Sequence, residues 1–134
     1  MFKVSSIAII FLFLFAFPNF VFSSGCWVVS GLKGIGSNSA DQYNLHEDSL
    51  DNRSFQIIID GDNSSVIGSD GISFYEVTPQ LIVGVYSNGS HKGVIESWGV
   101  DVEKNKVFYT QTKSGYTIFD GAKLFVGELD GKCD

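Results

Sequence analysis

Two histidines, two cysteines and fifteen carboxylates are the residues of this chain with the capacity for chemistry. His46 stands in His46-Glu47-Asp48 within a long polar stretch, and His91 follows Ser87-Asn88-Gly89-Ser90. A nucleophile, histidine and carboxylate can meet in space from distant positions. Yet there is no G-x-S-x-G elbow to present a serine, and the simplest reading makes both histidines solvated loop residues. Asp60-Gly61-Asp62-Asn63-Ser64 has the oxygen density of a calcium loop, but Gly71 stands where the twelfth-position carboxylate of an EF-hand belongs. A turn between two strands accounts for the same residues. Asp41, Glu47, Asp48 and Asp51 form a second acidic cluster without ligand spacing. The expectation is a protein with no catalytic residues, no metal and no cofactor.

Glu96 is the carboxylate that stands out. It alternates in register with Val94, Trp98, Val100 and Val102, so if Trp98 faces a core, Glu96 does too. A buried carboxylate needs a cation or several hydrogen bonds and would mark a site. The simpler alternatives are that this face turns outward near the strand's start, or that Glu96 pairs with a lysine across the sheet.

Cys26 and Cys133 lie at the two ends of the chain that remains beyond a distinct leader. Met1-Phe2-Lys3 is a short basic start, Ile7 to Phe17 is uninterruptedly apolar, and Pro18-Asn19 breaks the run before Ser23. That is the layout of a secretory signal peptide over residues 1–23, and the run is short of the roughly 20 residues of a spanning helix. The chain is therefore expected in a secreted or periplasmic setting, where paired cysteines persist. A bridge between these two would bring the first and last strands together. The alternative is a lipoprotein-like use of Ser23-Ser24-Gly25-Cys26 that anchors the chain through Cys26 and leaves Cys133 alone. A membrane is a partner only in that case, or if the leader stays uncleaved.

Without the leader the chain carries eight basic and fifteen acidic residues, a net charge of −7. Nucleic acid is a poor partner for that balance; a cationic partner fits it better, and simple solubility explains it as well.

Residues 24–134 suffice for one domain. Ser54–Asp60, Gly71–Val77, Gln80–Ser87, Gly93–Val102, Val107–Thr112 and Leu124–Leu129 alternate with a period of two, as strands do. Trp27–Leu32 reads as a first strand, Val66-Ile67 as a short one, and Asn105 as a left-handed residue reversing the chain. Leu81–Tyr86 is apolar on both faces, which predicts a covered strand. Gly34–Arg53 has no sustained period and reads as a long loop. The expectation is an all-β domain of about seven to eight strands: a small antiparallel meander barrel with its termini tied by one disulfide, or alternatively a β-sandwich.

Two features point to binding. Aromatics occur on every strand; they either fill a core or line the cavity of a small-ligand barrel. The Lys113–Gly121 connection holds Tyr116, Ile118 and Phe119, which could anchor a protein partner together with loop 34–53 or plug one barrel end. Ser114-Gly115-Tyr116, with the overall size, resembles small periplasmic lysozyme inhibitors, compact β-barrels in which a Ser-Gly-containing loop enters the enzyme's cleft. In that family the tyrosine lies further from the Ser-Gly. The resemblance implies an inhibitor-like use of Ser114, Tyr116, Ile118 and Phe119. The functional expectation is thus an exported, non-enzymatic binding protein for a protein partner through loops 113–121 and 34–53, with a small apolar ligand as the alternative. Asn52, Asn63 and Asn88 head N-glycosylation sequons that a eukaryotic secretory pathway could use.

Overall fold

The structure, a computed structural model, describes residues 25–134; the signal peptide expected over residues 1–23 lies outside the described residues. The strands are β1 (Gly25–Asn38), β2 (His46–Ser49), β3 (Phe55–Ile59), β4 (Ser65–Ile67), β5 (Ser73–Thr78), β6 (Leu81–Ser87), β7 (Gly93–Asp101), β8 (Lys106–Ser114) and β9 (Gly121–Lys132). Short 3-10 turns occupy Ser39–Asp41, Gly61–Asn63 and Thr117–Phe119.

All the strands belong to one sheet, ordered β4-β3-β1-β9-β8-β7-β6-β5. Followed around, that order is an up-and-down meander that closes where β9 pairs antiparallel with β1. The result is a nearly closed antiparallel barrel of eight strands, so the sandwich alternative falls. β2 is an addition to the ring: it pairs with Lys33–Gly36, while β3 pairs with Gly25–Val29 of the same long strand. The ladder is not continued between β4 and β5; the Gly68–Ile72 connection crosses that seam. Cys26 and Cys133 are disulfide-bonded with Cα atoms 5.3 Å apart, and the Cys133 N–H donates to the Cys26 carbonyl at 3.0 Å. With both sulfurs in this bond, Cys26 has no thiol left to carry a lipid.

Period-two alternation places the core. Val100 and Trp98 of β7, Val107 and Tyr109 of β8, Phe125 and Leu129 of β9, and Phe55, Ile57 and Ile59 of β3 all point inward and are buried. Asn105 takes the expected left-handed conformation, φ 54°, in the β7–β8 turn. Gly127 is inward too, because a Cβ there would press on the Ser30 carbonyl and on Leu32 and Val107 side chains.

Two expectations need correction. The sequence predicts β1 to end at Leu32, but it runs on to Asn38. A register shift between Ser30 and Lys33 breaks the alternation, and glycines then hold positions 34 and 36. The first is obligatory: a Cβ on Gly34 would come within 1.9 Å of the Leu124 carbonyl oxygen. Loop 34–53 is therefore half strand. The covered β6 is also only half covered, since Ile82 and Gly84 are buried while Val85 faces solvent. Tyr75 and Ile95, exposed on the neighbouring strands, extend this outer apolar face.

Candidate functional site

Along β7, β8 and β9 the inward face changes character part of the way up. After Trp98 comes Glu96; after Tyr109 come Gln111 and Lys113; before Phe125 comes Lys123. The register pairs Trp98 with Tyr109 and Tyr109 with Phe125, then Glu96 with Gln111 and Gln111 with Lys123. An apolar half of the barrel thus gives way, one layer at a time, to a polar half.

The boundary is an aromatic floor. Trp98 and Tyr109 ring centroids lie 4.4 Å apart, Phe55 stands 5.1 Å from Trp98, and Phe125 stands 5.7 Å from Tyr109. Above it is a cavity of about 450 Å3. Phe55, Trp98 and Tyr109 wall its lower part, and Val94, Arg53, Lys113, Tyr116, Lys123, Tyr86 and the Gly68–Ile72 connection surround the rest. The aromatics therefore do both things expected of them: they fill one half of the interior and line a hollow in the other.

Glu96 sits in that hollow's wall at only 3% exposure. Its Oε1 accepts from Tyr109 Oη at 3.0 Å and Gln111 Nε2 at 2.6 Å; its Oε2 accepts from Ser69 Oγ at 2.8 Å and Trp98 Nε1 at 3.2 Å. Four donors fill the four lone-pair positions of a carboxylate. The two simpler expectations, an outward face or a lysine partner, are both wrong. Glu96 is buried beside Trp98, and among the described residues it makes no ion pair. The Tyr109 phenol responds to this setting: burial pushes its pKa strongly up, and the charge and hydrogen bond of Glu96 push it further, against the Arg53 charge.

The basic residues have different fates. Lys123 Nζ lies 2.7 Å from Asp48 Oδ2. Burial raises the Asp48 carboxyl, but the Lys123 hydrogen bond and charge, with the Ser49 N–H and His46, outweigh it and leave its pKa lowered. Arg53 lies 5.2 Å over the Phe55 ring and donates from Nη2 to the Gly68 carbonyl at 3.1 Å. Lys92 and Lys113 both lie over the Tyr116 ring, at 5.4 and 5.9 Å from its centroid.

The 113–121 segment is not a plug. Ile118 and Phe119 are 54% and 65% exposed, Ser114 is exposed, and Tyr116 is half-buried on the cavity rim. Gly115, at φ 85°, backs so closely onto the His91 carbonyl that no side chain fits there. The 34–53 segment meets this one directly: Ser39 donates from its N–H to Asp120 O at 2.9 Å and from Oγ to Thr117 O at 2.5 Å. Gln42, Tyr43 and Thr117 hold positive φ of 54°, 61° and 60°, a left-handed conformation that is strained above all for β-branched Thr117. Tyr43 and Leu45 are exposed beside them in sequence. His46 lies in β2 rather than in a loop, 3.6 Å from Asp41 Oδ2, and His91 is an exposed turn residue. Asn52, Asn63 and Asn88 are exposed.

Sequence reasoning singled out Glu96 and Tyr116, included Arg53 and Lys113 only as ends of the loops 34–53 and 113–121, and missed Ser69, Gln111, Lys92 and Lys123. For Gln111, Lys113 and Lys123 a signal existed, because each continues the inward alternation of its strand. Ser69 and Arg53 come from connections, where no period operates. No family model, curated protein or solved structure matches this chain, so the resemblance to lysozyme inhibitors rests on Ser114-Gly115-Tyr116 and size alone.

Proposed function

We propose that this is an exported binding protein that holds a small organic molecule in the polar half of its barrel, with the apolar part of that molecule on the Trp98–Tyr109 floor. The observation that carries the reading is the cavity of about 450 Å3 above an aromatic floor, within the size range of small-molecule sites and of what an eight-stranded barrel can hold. Its wall is preorganised: Glu96 locks Trp98, Tyr109, Gln111 and Ser69 in one arrangement, so little side-chain ordering remains to be done on binding. The same saturation favours binding over catalysis, since each Oε already accepts two bonds and none is free to take a substrate proton. The half-polar wall shifts the expected ligand from purely apolar to amphipathic.

The test is titration of the disulfide-bonded chain with N-phenyl-1-naphthylamine, an aryl probe whose emission rises in apolar sites. Saturable one-to-one binding that Val94→Trp abolishes without unfolding the barrel supports the reading. Absence of binding, or binding that Val94→Trp leaves intact, overturns it.

A second reading is supported by a separate observation, the abutting strained loops with Tyr43, Leu45, Ile118 and Phe119 exposed. Such residues are typical protein-interface anchors. On this reading Tyr116→Ser with Phe119→Ser abolishes capture of a specific protein partner while the fold survives; unchanged capture counts against the loops.

A further inference from the structure

We infer that the ligand is an organic anion whose oxyanion group sits at the cavity rim among Lys92, Lys113 and Arg53; this rests on the proposed ligand site. The argument starts from where an acidic chain places its few cations. Lys33, Lys104, Lys106 and Lys123 each pair with a carboxylate, and Lys132 lies over the Trp27 ring. Arg53, Lys92 and Lys113 make no ion pair among the described residues. All three are at the same end: Arg53 and Lys113 line the cavity, and Lys92 lies over Tyr116, which lines it too.

Two ammonium groups near one ring repel each other, and an anion near both offsets that repulsion. Here the gathering is enforced by the backbone. Asn88 Oδ1 accepts from the N–H groups of Ser90, His91 and Lys92, fixing the turn that carries Lys92. Gly115 then presses that turn against the end of β8, which carries Lys113.

The acids nearby offset only part of this charge. Glu96 keeps its charge but lies one layer deeper than Lys113, Asp48 is engaged by Lys123, and Asp120 accepts the Tyr116 N–H. Asp70 is the other carboxylate on the wall, where Arg53 and Lys113 stand. Arg53 spends Nη2 on the Gly68 carbonyl and retains further N–H donors for an oxyanion.

The experiment compares two probes with one ring system: N-phenyl-1-naphthylamine, which is neutral, and 8-anilinonaphthalene-1-sulfonate, which adds only the anion. At low salt the sulfonate should bind the disulfide-bonded chain about tenfold more tightly, the gain of two partly desolvated charge contacts, and the advantage should shrink in 0.5 M salt as screening grows. The double variant Lys92→Ala, Lys113→Ala should remove most of the advantage, read as the ratio of the two probes' affinities on that same variant, so that any change in the cavity wall at Lys113 acts on both. Equal affinities in the wild type, or an advantage that survives the double variant, overturn the inference while leaving the ligand site standing. Failure of both probes removes the ligand site and this inference with it. Sulfonate binding that persists in Val94→Trp places the anion outside the cavity and also counts against it. Competition by 1-naphthoate against 1-naphthyl phosphate then separates a carboxylate from a phosphate ligand, and competition by neither overturns the oxyanion assignment.

Discussion

The Ser69 hydroxyl donates to Glu96 Oε2 at 2.8 Å, tying the connection between β4 and β5 to the inner wall of β7. The connection spans the place where the ladder lapses, so a side-chain bond serves there in place of backbone pairing. Gly68 and Gly71, at φ 106° and 80°, flank the segment and give it the bends it needs. Glu96 is thus the hub of both the cavity wall and the barrel's seam.

Replacing Glu96 should be costly for that reason. Glu96→Ala leaves Trp98 Nε1 and Gln111 Nε2 facing a hole, and orphaned buried donors plus a cavity should cost about 3–5 kcal/mol. Glu96→Gln is not a mild change, because its amide turns donors toward donors; about 2–3 kcal/mol is expected. Urea unfolding with the disulfide intact measures both, with Glu128→Gln at the exposed pair with Lys106 as a control within about 1 kcal/mol. A Glu96→Gln midpoint equal to the wild type would contradict the four-donor arrangement.

Tyr109 sets a limit at high pH. Its phenol ionises near 10.0 when unfolded and well above that when folded. The stability that comes from keeping the proton is therefore complete below about pH 10 and declines above it, by up to about 1.4 kcal/mol per pH unit. Tyr109→Phe should cost about 1.5–3 kcal/mol at neutral pH through the lost bond to a carboxylate, and should flatten the alkaline limb between about pH 10 and 12. Parallel limbs for the two proteins would rule out this assignment.

The Cys26–Cys133 bond closes a separation of 107 residues. On the chain-entropy account its removal by paired serine substitution should cost about 4–5 kcal/mol, and an enthalpic account predicts a different temperature dependence for the loss. Denaturant unfolding of the serine variant at several temperatures reads both. Intact mass after alkylation should show no added label, and a labelled Cys133 would refute the pairing.

Thr117 tests whether the loop pair is strained. At φ 60° it occupies a region that glycine enters freely, so Thr117→Gly should stabilise the chain by about 0.5–1 kcal/mol where the relief exceeds the entropy glycine adds to the unfolded state. A gain in melting temperature with weaker capture of a protein partner would tie the strain to the second functional reading. A loss of stability would show the conformation to be relaxed.

The alternation Val94-Glu96-Trp98 marked Glu96 as a carboxylate that faces inward if Trp98 does, without deciding against an outward face or a lysine partner, and Tyr116 was legible as an aromatic residue in a connection. The partners of Glu96 were not equally legible. Gln111 could be reached by extending the β8 alternation past Tyr109, whereas Ser69 meets Glu96 across 27 positions of chain. The second half of β1 was hidden for a different reason. The register shift after Ser30 and the glycines at 34 and 36 erase the period that identifies a strand, although close backbone packing is what requires Gly34.

Period-two alternation and cysteine count, being local or countable, sufficed for most strands, the direction of most side chains and the capacity of Cys26 and Cys133 to join the ends; β2 and the second half of β1 escaped them. Tertiary structure decided which sheet edge pairs with which, where the seam falls and where charge collects. Composition, at net −6, speaks for a cationic partner; the fold gathers Arg53, Lys92 and Lys113 at one mouth and speaks for an anion there. The physical reason is that a net charge is a sum over the chain, while a ligand meets only the charges within about a Debye length of it.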